Sequence, residues 1–224
     1  NLGIWRSAHQ SRKVKSVKVS EPGPEGLAVK VEYELTGIAV PYTVEYLVMN
    51  DGAIRVTASI DLTERDLPEM PRFGMRTQLA PEYNQLTYYG RGPWENYTDR
   101  KTASFVAQYS GLVKDQFTAN YIRPQDNGYK TDVRWLTLKS ATGQGYRIEG
   151  VQPICFSALN YSTESLDPGM TKKQQHPSDL RPDNNVYLNV DLLQRGVGGD
   201  DSWGALPHDE YRLRGKKYSY SFSI

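Results

Sequence analysis

The sequence predicts an all-β fold: one large domain over residues 1–224, built as an antiparallel two-sheet structure with few short helical turns. Three observations carry this. Apolar and polar residues alternate at period two over much of the 224-residue chain. Turn residues punctuate those runs at short intervals. No segment keeps the i, i+3, i+4, i+7 spacing of an amphipathic helix for three turns.

The elements follow in order. Val14–Val19 reads as a short strand. In Leu27–Leu35, "LAVKVEYEL", every odd position is apolar, and in Ile54–Leu62, "IRVTASIDL", every even one is. Each is the signature of a half-buried strand. Between them "YTVEYLVMN" runs into Asn50-Asp51-Gly52, a hairpin turn. Gln85–Tyr89, Val133–Leu138, Tyr146–Gly150 and Val186–Leu192 are shorter strand candidates. At the C-terminus "YSYSFSI" alternates through Tyr218, Tyr220, Phe222 and Ile224. Ser162–Leu166 and Lys172–His176 read as a turn or two of helix.

Composition excludes several classes. Net charge is +1, from 27 basic and 26 acidic residues, so no basic footprint marks a nucleic-acid or anionic-membrane partner. No apolar run approaches the ~20 residues of a membrane span. Cys155 is the single cysteine, which removes disulfide frameworks and cysteine metal sites, and its apolar surroundings read as an inert buried thiol. Sixteen tyrosines against five phenylalanines suit half-buried sheet surfaces and sugar-binding faces alike. The chain opens at Asn1 and not at a methionine, which reads as an excised piece from which any targeting information is cut away.

The stretch "GVGGDDSWG", Gly196–Gly204, poses the functional question. Gly198 and Gly199 allow close approach and unusual dihedrals, and Trp203 offers a large apolar plate. On the residues alone, packing in a core is the default for that indole. Asp200 and Asp201 lack the further oxygen ligands of a metal loop. Their expected work is to accept backbone N–H bonds and shape the loop. His9, His176 and His208 stand far apart without triad or metal spacing, and read as solvated or structural. The alternation, by itself, leads to an antiparallel β domain with a possible ligand face.

Three stretches go further: "YYGRGPWENYTDRKTA" (Tyr88–Ala103), "PQDNGYKTDVRWLTL" (Pro124–Leu138) and "YLNVDLLQRGVGGDDSWG" (Tyr187–Gly204). In the first, Gly90, Gly92 and Pro93 are expected to force the chain out of a strand. Together the three resemble the C-terminal β domain of family 2 β-galactosidases of the LacZ type, with its G-x-G-P-x-E-N-Y-x-D-R, P-Q-E-N-G and G-x-G-G-D-D-S-W patterns. The resemblance runs from Asn1 to Ile224. Asp126 departs from it, standing where the family has glutamate. The aromatic, asparagine-rich segment that precedes "NLGIWRSA" in the family has no counterpart here, so the domain reads as truncated at its N-terminus.

The resemblance implies a galactose mutarotase-like super-sandwich. It implies a noncatalytic domain, because the family's two catalytic glutamates belong to an upstream (β/α)₈ barrel and no β–α alternation of that kind occurs here. The isolated chain is expected to be inactive, with no cofactor of its own; the Mg and Na of some full-length members are bound by other domains. The implied partners are a β-galactoside and the barrel domain of the same polypeptide or a partner chain, within a homo-oligomer of the full enzyme. By position, Trp203 corresponds to the family's sugar platform, with Gly198, Gly199, Asp200 and Asp201 shaping its loop. Trp94 occupies a variable position of its motif, and Trp135 reads as strand packing. Glu95, Asn96, Tyr97, Asp99 and Arg100 are expected to form an internal hydrogen-bonded network, with Arg100 paired to a carboxylate. Two other readings are a free-standing carbohydrate-binding domain and an aldose 1-epimerase-like enzyme, the latter without an epimerase motif around any histidine. The compartment stays open between bacterial cytoplasm and periplasm.

Overall fold

The computed structural model describes residues 2–167, 169 and 175–224. Among them eleven strands form an antiparallel network: β1 (Arg12–Val19), β2 (Gly26–Leu35), β3 (Val40–Met49), β4 (Ile54–Asp61), β5 (Arg72–Leu79), β6 (Gln85–Gly92), β7 (Phe105–Leu112), β8 (Lys130–Lys139), β9 (Gly145–Leu159), β10 (Val186–Gln194) and β11 (Lys217–Ser223). The one α-helix among the described residues, α1 (Thr163–Leu166), is a single turn whose Ser162 side chain caps the Ser165 amide; the other described helical pieces are 3₁₀ turns. The turn expected at Lys172–His176 falls largely outside the described residues. No described helix is long and apolar enough to cross a membrane. By mutual contact the chain groups into two compact units, with β9 supplying residues to both.

The first unit comprises Asn1–Phe73, Ile148–Gln152 and Gln194–Ile224. Its strands run in the order β1-β2-β3-β4-β11. Register aligns the alternating residues into rows: Val31 faces Val44, Val44 faces Ala58, and Ala58 faces Tyr220, all four buried. Phe73 meets Tyr220 edge-on at 5.7 Å. Burying side chains of this size stabilises by about 1.5–3 kcal/mol each, which is what fixes the register. The hairpin at Asn50-Asp51-Gly52 closes with Met49 N–H on Ala53 O, and Gly52 takes φ +90°. β1 is the edge, with Val14, Val17 and Val19 exposed between Lys13, Lys15 and Lys18, charges that discourage strand addition.

The second unit comprises Gly74–Arg147 and Pro153–Leu193. β6 pairs with β7 on one side and β8 on the other, while β10 pairs with β9 and β5. Leu86, Leu136, Leu138, Ile154, Phe156 and Leu188 form its interior, with Tyr88 edge-on to Phe156. β6 corrects one expectation: the strand continues through Gly90 to Gly92 and leaves only at the cis Gly92–Pro93 bond. The glycines let neighbours close in on the strand. A Cβ on Gly90 would sit 2.6 Å from Val133 Cγ2, and one on Gly92 would sit 2.1 Å from the Tyr88 hydroxyl. β5 and β7 have no counterpart among the strands read from sequence.

Candidate functional site

β10 ends at Gln194 and β11 begins at Lys217, and the loop between them carries Trp203. Its mouth closes with Gly196 N–H on Tyr211 O at 2.8 Å. Gly198 and Gly199 adopt φ +67° and +93°, in the left-handed region that favours glycine. A Cβ on Gly198 would lie 2.6 Å from Ala205 O, so a side chain there would push the loop's returning limb away. Gly199 N–H donates to that same carbonyl at 3.3 Å. Asp201 Oδ1 accepts from the amides of Trp203 at 2.8 Å and Ala205 at 3.1 Å. Asp200 Oδ2 bonds His208 Nε2 at 2.6 Å. The result is a small backbone ring from 198 to 205 with the Trp203 indole at its tip, 93% exposed. An indole so placed is in no core of the described residues; it offers a bare aromatic face to whatever approaches.

The second motif segment behaves differently. Asn96 is buried and uses its whole side chain: Nδ2 donates to Arg91 O and Trp94 O, both at 3.1 Å, and Oδ1 accepts from Thr131 N at 2.9 Å and Thr131 Oγ1 at 2.6 Å. Its own amide donates to Tyr129 O. Glu95 Oε2 accepts from Gly128 N at 2.8 Å, while Oε1 takes the Tyr121 hydroxyl. Tyr97 closes a backbone turn with Arg100 and stacks on Tyr129 at 5.7 Å, with Cys155 in the same buried cluster. The Tyr129 hydroxyl donates to the buried Asp191 at 3.1 Å. Asp126 Oδ1 accepts from its neighbour Asn127 N at 3.0 Å, and Asn127 pins both polar groups of the Thr118 backbone. Trp94 stands 77% exposed on this frame.

Several groups here escaped the sequence reading. Lys130 is buried beside Glu95, with Nζ donating to Gly128 O at 3.2 Å, and burial pulls its ammonium down to about 8. Asp132 holds φ +53° within β8, and its carboxylate pairs with Arg91 and Lys101, which keep it below the usual range. Nothing in the local pattern marks these positions, since partners such as Arg91 and Asp132 are far apart in the chain. Burial pushes the Cys155 thiol up to about 12, as an inert core cysteine requires. Trp135 is half-buried under the Arg147 guanidinium, and Trp5 donates to Pro68 O. His176 Nδ1 bonds Ile122 O. No group of three or more His, Cys, Asp or Glu side chains among the described residues is arranged to hold a metal ion.

Comparison with known proteins gives the context for both segments. The family model for the beta galactosidase small chain matches residues 1–224. The chain is 38% identical over 221 residues to a beta-galactosidase of Priestia megaterium, covering 98% of this chain and 21% of that protein. It is 34% identical over 216 residues to one from Halalkalibacterium halodurans, covering 95% of this chain and 21% of that protein. A beta-galactosidase of Streptococcus thermophilus is 33% identical over 225 residues, with 98% of this chain and 21% of that protein covered. The chain therefore spans about a fifth of the length of the curated relatives it matches.

Proposed function

Because the chain belongs to the β-galactosidase small-chain family, we propose that it acts as a noncatalytic β domain of a retaining β-galactosidase and brings Trp203 to the sugar site. It corresponds to one part of a larger enzyme, a reading supported by its covering about a fifth of its relatives' length. The two carboxylates that retaining chemistry needs, about 5 Å apart, are then supplied by a barrel domain outside residues 1–224. Its role is to complete the pocket in which a terminal β-galactoside is held. The two compact units act together as one domain of that enzyme.

The observation that supports this reading is the exposure of Trp203 on a braced loop. A large indole left 93% exposed loses the burial that ordinarily rewards tryptophan. The same loop uses Asp201 and the positive-φ glycines to hold that indole's backbone in one place. A pyranose ring has a face of C–H bonds that packs on such a plate while its hydroxyls bond elsewhere. Removing that face from water stabilises by about 1–3 kcal/mol. Trp203→Ala in the complete enzyme is therefore expected to raise KM for a β-galactoside, or for a sugar acceptor, on the order of tenfold. Steady-state kinetics with donor and acceptor varied separately would test it; unchanged constants for both would sink the reading.

A further inference from the structure

The loop that carries Trp203 is tied down at its base by one acidic side chain. Glu69 lies between β4 and β5, and its carboxyl side chain is only 6% exposed. Oε1 pairs with Arg195 Nη1 at 3.4 Å, and Oε2 pairs with Arg212 Nε. Arg195 immediately precedes the loop mouth at Gly196, and Arg212 immediately follows it at Tyr211. One carboxylate thus holds both ends. Arg214 approaches the same oxygen at 3.9 Å.

The backbone repeats the tie. Arg195 N–H donates to Pro71 O and Met70 N–H donates to Leu213 O, both at 2.9 Å, so residues 69–71 touch the entering and returning limbs alike. Packing contributes on one side, where Leu62, Met70 and Leu213 are buried. An open cleft of about 520 Å³, lined by Met70, Leu206, Leu213, Arg195 and Arg212 among others, lies along the base. On the side of the open cleft the loop has no core to lean on, so its polar ties hold it there. Asp209 also reaches Arg212 and Arg214, but at 75% exposure it is a solvent-screened partner. Arg212 and Arg195 are 18% exposed, so their pairing with Glu69 is the desolvated one.

We propose that Glu69 is a positioning residue: by clasping Arg195 and Arg212 it fixes where the 196–211 loop holds Trp203. The proposal rests on Trp203 being the sugar platform. Glu69 touches no substrate and acts through the loop.

The test uses the full-length enzyme that carries this domain. Glu69→Gln keeps the shape and removes the charge. Amide hydrogen exchange across 196–211 is expected to accelerate about tenfold while β3 and β4 amides are unmoved. KM for a β-galactoside should rise severalfold with kcat little changed. The double variant Glu69→Gln/Trp203→Ala should show the KM of Trp203→Ala alone, since a misplaced plate and an absent plate are the same loss. Should Glu69→Gln speed exchange in β3 and β4 as well, Arg212→Lys reads the same contact while keeping the charge. Unchanged exchange in 196–211, or KM effects that simply multiply, overturns the clasp and leaves the platform standing. A Trp203→Ala enzyme with unaltered KM overturns the platform, while faster loop exchange in Glu69→Gln would still identify Glu69 as the clasp.

Discussion

Gly90–Arg100 and Gly196–Tyr211 both join glycines, acidic residues and one exposed tryptophan, yet they spend their polar groups differently. In the first, the amide of Asn96 is buried and bonded at every position, and Glu95 caps the Gly128 amide. In the second, Asp200 and Asp201 are exposed and bond within the loop or to the exposed His208. A buried amide with four partners cannot be altered without orphaning groups that water no longer reaches. An exposed carboxylate can, since water replaces it. The difference separates a scaffold from a presenting surface: one segment locks β6 to the start of β8, the other holds an aromatic plate out in solvent.

The largest expected effect breaks the scaffold. Asn96→Ala leaves Arg91 O, Trp94 O and the amide and hydroxyl of Thr131 without this partner. Stability should fall by about 3–5 kcal/mol, the range for breaking a buried network. The denaturant midpoint of unfolding reads this directly. A loss below about 1 kcal/mol would mean that Asn96 is replaceable by water and that the two segments are alike.

The next effect sharpens the same contrast through pH. Lys130, one residue before Thr131, titrates near 8 in the folded chain against 10.5 as an ordinary lysine, because burial disfavours its charge and Glu95 only partly restores it. Between those values the unfolded chain binds more protons, so stability rises with pH; the contribution is complete above 10.5 and is lost as pH falls through about 8. The full span is about 3 kcal/mol. Buried tyrosines such as Tyr42, pushed up to about 12 by burial, act in the opposite sense above their ordinary value of 10.0. The window for measurement is therefore pH 8 to 10. Unfolding midpoints across it should climb for the parent protein and stay nearly flat for Lys130→Met. An equal climb in both would remove Lys130 from the scaffold's account.

What the sequence made legible follows from what each residue does. Leu27–Leu35, Ile54–Leu62 and the C-terminal run alternate because one face of β2, β4 and β11 is turned to a core, and period two is the trace of that. β5 and β7 bury little, with Phe73 the one fully buried residue between them, so the burial that writes alternation into a sequence is weak there. Gly90 and Gly92 read as strand breakers because glycine usually loosens a strand. Their actual use, admitting Val133 and the Tyr88 hydroxyl, is a tertiary fact. Lys130 and Asp132 were invisible for the same reason. A lysine heading a strand looks solvated until its surroundings are seen. Glycines beside Asp200, Asp201 and Trp203 announced a shaped loop, but no local pattern separates an indole in a core from one at 93% exposure.

The smallest expected effect is the one that distinguishes presentation from scaffolding most sharply. Trp203 makes so little contact with the described residues that its removal takes no apolar area out of the fold. Trp203→Ala should shift unfolding by less than about 0.5 kcal/mol, as surface substitutions do, although tryptophan is the residue whose loss from a core costs most. The backbone ring would persist, because Asp201 bonds the amide of residue 203 and not its side chain. A loss of several kcal/mol would show the indole packing within the domain in solution, and the loop would then belong with Asn96 among the elements that hold the fold. A negligible shift alongside a raised KM would leave the plate one remaining use, contact with something outside this chain.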